Sequence, residues 1–314
     1  MKTSNTLVWL SSLIMVLASI AAGVGLLWQD EGSPFTFTTL RGQTVQIYGQ
    51  GLYRYDTPIV AIGLKAADAV TLFLAIPLCL LALVLYRRGS LKGRLLLAGT
   101  LAYFLYMAIS LAFGAAYNTL FLVYVALLAL SLFAFILALA SFDLAALPSH
   151  FSAALPRRGI GIYLIVSGAV LMLIWLALSI IPAMLQGQAP PEVWSYTTVI
   201  TFVLDLGIIA PALIVSGGLL LRRAPIGYLL AATLLVFTVV LGVNLTAGGV
   251  VQVLAGVISL GQFIGMSASF TILTLFAMGF TVALFRSFSE SVTERTASRA
   301  VHGTFSISQK TRTG

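Results

Sequence analysis

Apolar residues in this chain gather into eight long runs, at about 7–28, 59–86, 95–116, 119–141, 160–184, 198–221, 226–246 and 266–285. Each is close to or above the roughly 20 residues that a helix needs to cross a hydrocarbon core about 30 Å thick. Inside lipid every backbone polar group must be satisfied within the protein, so continuous runs of this length predict helices. The fold class expected is an all-α polytopic transmembrane bundle of about eight spans. A Gly-rich stretch at 247–265, broken by Gly248, Gly249, Gly256 and Gly261, reads as an interfacial or re-entrant connection. A ninth span there would put Arg222–Arg223 and Arg286 on opposite sides.

Between the first two runs, at 29–58, the pattern changes to period two. Phe35, Phe37, Val45 and Ile47 alternate with Thr36, Thr38, Thr44 and Gln46 around Arg41–Gly42–Gln43. This predicts a short extracytoplasmic β-hairpin packed on the helix ends, since a lone hairpin is marginal in water. Pro58 suits the first turn of the next helix. The first run has a rival reading as a cleaved signal segment, because Lys2 precedes it and small residues occupy 18–22. Its continuation to Leu27, with Trp9 and Trp28 near its two ends, favours an uncleaved anchor.

Charge makes the topology directional. Only 8% of residues are charged and 60% are hydrophobic, against about 25% charged in a soluble domain. The net charge of +8 does not point to nucleic acid, because the basic residues punctuate the apolar runs. With the N-terminus inside, the inner segments hold Lys2, Arg87, Arg88, Lys92, Arg94, Arg157, Arg158, Arg222, Arg223, Arg286, Arg295, Arg299, Lys310 and Arg312, which is 14 of the 17 basic residues. Arg41 and Arg54 fall outside. By the positive-inside rule both termini are cytoplasmic, in a cell (plasma) membrane. Residues 1–286 form the transmembrane domain, and 287–314, rich in Ser, Thr and Arg, read as a disordered basic tail.

Catalytic and cofactor chemistry finds little support. The single cysteine, Cys79, allows no intrachain disulfide, and His150 and His302 have no metal-ligand spacing. No phosphate-binding glycine loop and no nucleophile constellation is present. Asn244–Leu245–Thr246 matches a glycosylation acceptor only on paper, because it sits at a membrane edge.

The groups that stand out are ionisable residues inside runs, which cost about 2.5–3.5 kcal/mol each to insert and are functional candidates by default. They are Lys65, Asp68 and Asp205. The functional reading makes Asp68 and Asp205 a polar site at similar depth for a cation, a proton or a polar substrate. The structural reading pairs Lys65 with Asp68, three residues apart, and satisfies Asp205 with Arg41 or Arg54. In the third run Gly99, Tyr103, Tyr106, Ser110, Phe113 and Tyr117 follow helical spacing. With Asn118 and Tyr124 nearby they could line an aromatic pocket or simply pack. Runs two and three also resemble runs six and seven: Asp68, Pro77, Arg87–Arg88, Gly93 and Thr100 against Asp205, Pro211, Arg222–Arg223, Gly227 and Thr233. That suggests a four-plus-four repeat over 1–143 and 159–286.

GQGLYRYDTP at 49–58, the run holding Asp68, Val70, Thr71, Leu72 and Pro77, and DLGIIAP at 205–211 together resemble an uncharacterised family of prokaryotic multi-pass membrane proteins. The resemblance implies an eight-span topology and attaches no activity. Two functions are expected to compete: a small-solute or proton-coupled transporter working through Asp68 and Asp205, and a non-catalytic sensor or interaction subunit using the hairpin and the tail. An enzyme acting on lipid is the weaker third. The partners expected are the bilayer and a small solute or proton.

Overall fold

The computed structural model describes residues 3–288. Its eight long helices are α1 (Asn5–Leu27), α2 (Pro58–Arg87), α3 (Leu91–Gly114), α4 (Phe121–Ala140), α5 (Arg157–Leu185), α6 (Ile200–Leu221) and α7 (Pro225–Leu254), then α8 (Leu260–Arg286). All eight are long and apolar enough to cross a membrane, and the chain is a multi-pass helical membrane protein. Local chemistry marks the helix starts. Ser4 and Ser90 cap α1 and α3 by accepting from Leu7 and Gly93, and Ser259 with Gln262 forms a capping box at α8. Pro58 and Pro225 occupy first turns of α2 and α7, where a missing N–H costs nothing.

The hairpin forms as the alternation predicts. Strands β1 (Phe35–Thr38) and β2 (Thr44–Ile47) pair antiparallel, with Phe35 opposite Ile47 and Thr38 opposite Thr44. Gly42 takes a positive φ of 78° in the connecting turn. The hairpin end of the bundle is called the hairpin face below, and the opposite end, with the paired arginines, the arginine face.

Each half closes on itself as a ring. In the first, α1 touches α2, α2 touches α3, α3 touches α4 and α4 returns to α1; α5 to α8 repeat the same adjacency. The halves meet mainly through α7, which packs on both α2 and α3. Gly99 makes that approach possible, because a Cβ there would run into the Val236 side chain.

Four spans contain a π-helical turn: Thr71–Ala75, Ser110–Gly114, Leu176–Ile180 and Asp205–Ile209. Three of them precede a proline by two residues, at Pro77, Pro182 and Pro211. Proline lacks an N–H and crowds the carbonyl four residues back. In all three spans that carbonyl lies inside the widened π turn, and the N–H of the residue just before the proline bonds five residues back, to Thr71, Leu176 or Asp205. The wide turn therefore carries each proline without ending the span.

The α2–α3 and α6–α7 regions align in register. Thr71 and Asp205, Pro77 and Pro211, Arg88 and Arg222, Gly89 and Arg223, and Gly93 and Gly227 are all separated by the same 134 positions. The turns share their hydrogen bonds: Gly89 donates to Tyr86 and Ser90 to Leu85, as Arg223 donates to Leu220 and Ala224 to Leu219. Gly93 faces Leu85 and Tyr86 as Gly227 faces Leu219 and Leu220. In this frame Asp205 corresponds to Thr71, not to Asp68, which lies about one turn away.

Two expectations need correction. The 247–265 stretch does not form an irregular connection of its own. Helix α7 runs on to Leu254 with Gly248 and Gly249 buried inside it, a short turn with Gly256 at φ 70° follows, and α8 starts at Leu260. The Gln252 side chain fixes the extension by donating to the Ile59 carbonyl at 2.7 Å. Ser287 and Phe288, expected to belong to the disordered tail, are held against the segment joining α4 to α5. Ser287 accepts from the Ser152 N–H at 2.7 Å, and the Phe288 ring lies 4.6 Å from that of Phe151. Residues 289–314 lie outside the described residues.

Candidate functional site

A cavity of about 400 Å³ lies between the halves, walled by α2 and α3 on one side and by α5 to α8 on the other. Its one carboxylate within a span is Asp205, which opens the π turn of α6 and is 6% exposed. The Tyr106 hydroxyl donates to Asp205 Oδ1 at 3.2 Å, and the Trp175 Nε1–H donates to Oδ2 at 2.8 Å. Both donors are uncharged. Phe237 packs edge-on against Tyr106 at 5.7 Å, and Phe202 packs on Trp175 at 4.9 Å. These contacts fix the two donor rings from behind.

The other sequence candidates do not converge there. Asp68, 5% exposed, accepts from the Tyr53 hydroxyl at 2.8 Å and nestles against Gly25 of α1, where any Cβ would collide with it. Lys65 does not form the expected ion pair with Asp68. Its Nζ donates to the Tyr48 hydroxyl at 3.2 Å and sits 5.3 Å from that ring. The segment after the hairpin supplies a partner to each residue, so neither needs the other. Nor does Asp205 take Arg41 or Arg54. Arg41 donates to the Trp194 and Tyr196 carbonyls, and Arg54 pairs with Asp30 at 3.4 Å.

The α3 stripe divides. Tyr103 shares a hydrogen bond of 3.1 Å with Thr71 in its own half, whereas Tyr106 crosses to Asp205. Tyr106 and Ser110 reach the cavity. Beyond them the π turn at Ser110–Gly114 breaks the 3.6-residue period, and the stripe no longer shares a face. Phe113 and Tyr117 turn outward, both at least 70% exposed. Asn118 stabilises a local turn by accepting from the Leu120 N–H at 3.0 Å. Asn244, buried in α7, donates to the Met107 sulfur, a position inaccessible to glycosylation.

The sequence did not reveal the hairpin-face rim of the cavity. Glu192, Trp194, Tyr196 and Thr198, from the segment joining α5 to α6, line the cavity there. Trp194 holds φ 40° and ψ −120°, a conformation that L residues avoid. Three ties hold the segment. The hairpin tip contributes Arg41, whose two bonds to Trp194 and Tyr196 measure 2.9 and 3.0 Å. The Tyr196 hydroxyl donates to Asp56 at 2.7 Å. Ser179 donates to Glu192 at 2.7 Å. Asp56 is fully buried and also accepts from the Ala116 N–H at 2.8 Å. Burial pushes its carboxyl up to about 6, against the opposing pull of the Ala116 and Tyr196 bonds. Burial and the adjacent Asp56 charge push the Tyr196 phenol up as well. These ties link residues as far as 155 positions apart, so no local pattern announces them.

Among the described residues, no group of three or more His, Cys, Asp or Glu side chains converges as a metal site would require. No protein-family model, curated protein or solved structure matches the chain.

Proposed function

We propose that this protein is a carrier for a small amphipathic solute, with the cavity between its halves as the binding site and Asp205 as its polar anchor. One observation carries the reading. Asp205 is a buried carboxylate whose partners are neutral, in a cavity whose lining, among the described residues, includes Glu192 but no Lys, Arg or His. A lone carboxylate in such a place is costly until a cation or a proton joins it. The walls are mainly apolar and aromatic, and Trp175, Trp194, Tyr106 and Tyr196 offer ring faces that attract organic cations. The solute class is therefore an apolar organic cation, exchanging with a proton at Asp205. The setting proposed is a bacterial plasma membrane with the arginine face in the cytoplasm.

Tetraphenylphosphonium serves as the probe. Saturable binding to the purified protein and uptake into proteoliposomes are expected, and Asp205→Asn should abolish both. Unchanged binding and uptake in Asp205→Asn would overturn the reading. The interaction-subunit alternative draws on the hairpin, where Phe35, Phe37 and Leu40 are all exposed. A co-purifying partner lost on Leu40→Ser with Phe37→Ser, with Asp205→Asn leaving tetraphenylphosphonium binding intact, would favour it.

A further inference from the structure

A second cavity, of about 520 Å³, opens on the arginine face. The segment joining α4 to α5, the first turn of α5 and the α6–α7 turn border it, and Arg157, Arg158 and Arg223 line it, with no acidic residue among the described residues of the lining. Phe151 and Tyr228, with ring centroids 5.5 Å apart, also line it. Among the described residues, three guanidinium groups gather here without a carboxylate and repel one another, and Arg157 Nε is buried with no hydrogen-bond partner.

The register between the halves singles out Arg223. Its counterpart in the first half is Gly89, and both residues adopt positive φ, 61° for Arg223 and 77° for Gly89. Glycine is the residue that takes this conformation without strain. At the same point in the same turn the second half carries a strained arginine facing a cavity, and strain of this kind clusters at ligand sites. Paired arginines at span ends are common in membrane proteins. An arginine held in the left-handed region, beside two more around one cavity, needs a further reason.

The geometry points to a binding site for a phosphate group on the arginine face, held by Arg157, Arg158 and Arg223. Guanidinium forks match phosphate oxygens two at a time, and basic pockets between spans suit anionic headgroups. The ligand is the phosphate of an anionic lipid or a free phosphate compound. This site does not depend on the central cavity or on Asp205.

The test uses the full chain in detergent, with thermal stability read as phosphatidylglycerol, phosphatidylcholine or inorganic phosphate is added. Phosphatidylglycerol should raise the melting temperature by several degrees and phosphatidylcholine should not. An equal rise with inorganic phosphate would support the site and assign it to free phosphate. Arg223→Gly is the informative variant, because glycine suits the backbone there. Its melting temperature without ligand should equal or exceed that of the wild type, while its ligand-induced rise should drop to less than half. Arg157→Gln with Arg158→Gln should lose the rise as well, which covers the case in which Arg223→Gly disturbs the turn. A full rise in both variants, an equal rise with phosphatidylcholine, or no rise with either phosphate probe would overturn the proposal.

Discussion

The α2–α3 and α6–α7 turns share a hydrogen-bond pattern, and the two halves differ in where they carry charge around it. At the head of the π turn that precedes the proline, the first half has Thr71 and the second has Asp205. At the left-handed position of the following turn, the first half has Gly89 and the second has Arg223. In each case the first half uses the comfortable residue and the second a costly one. Each costly residue lines a cavity, Asp205 the central one and Arg223 the one on the arginine face. Even the tyrosines of α3 follow the division: Tyr103 closes on Thr71 while Tyr106 crosses to Asp205. A framework that tolerates a neutral residue at these positions has no structural need for a charge there. The first half thus serves as an internal control for the second.

Making the second half resemble the first should have the largest effect. Asp205→Thr should eliminate saturable tetraphenylphosphonium binding, whereas Thr71→Val should change it less than twofold by equilibrium dialysis. Equal losses in the two variants would erase the distinction between the halves.

The next effect concerns the rim. The folded-state value of about 6 for Asp56 exceeds the usual 3.8, so the folded protein binds this proton more tightly than the unfolded chain does. The contribution of Asp56 to stability should therefore be fully present below about pH 3.8 and be lost as pH rises through about 6, by at most about 3 kcal/mol. Asp56→Asn should flatten this part of the profile in detergent melts, and a slope that survives in the variant would place its origin elsewhere.

Asp68 offers a third test. Tyr53→Phe removes its hydroxyl donor and should cost about 1–3 kcal/mol of stability, with solute binding changed less than twofold. A binding loss like that of Asp205→Thr would bring Asp68 into the site. The smallest effect concerns the paired turns. No atom lies within 4 Å of a Cβ built at Gly89, so Gly89→Ala should cost only the left-handed strain, about 1 kcal/mol, and Arg223→Gly should recover a similar amount. Denaturant melts of both variants check the symmetry.

Much of the architecture was legible because hydropathy and alternation act locally. The eight helices fall close to the apolar runs, and β1 and β2 follow the period-two pattern around Gly42. The prolines at 77, 182 and 211 were visible, but their π turns were not, since the wide turn answers a clash that only the helix geometry reveals. The Gly-rich stretch reads as irregular because glycine lowers helix propensity in isolation, whereas the bond from Gln252 to the Ile59 carbonyl ties the α7 extension to α2 across folded distance. Of the candidate site, Asp205 and Tyr106 were picked out by their cost or their spacing. Trp175, Asp56 and Tyr196 were missed because their roles exist only across folded distance. The Lys65–Asp68 pair was drawn from helix spacing, and Tyr48 and Tyr53 outcompeted it from outside the helix.

The placement of α7 also bears on how the protein is made. Chains emerge N-terminus first, and helices that have entered the bilayer then associate side to side. The first ring can close once α4 is in place. The face of α2 and α3 that later receives α7, including the groove at Gly99, stays in contact with lipid while α5 and α6 are still being synthesised. Tyr106 has no Asp205 to meet until α6 has been inserted, and α7 arrives after that. The central cavity is therefore among the last features to exist during biosynthesis, and a chain stopped before residue 225 would have closed its first ring without assembling that cavity.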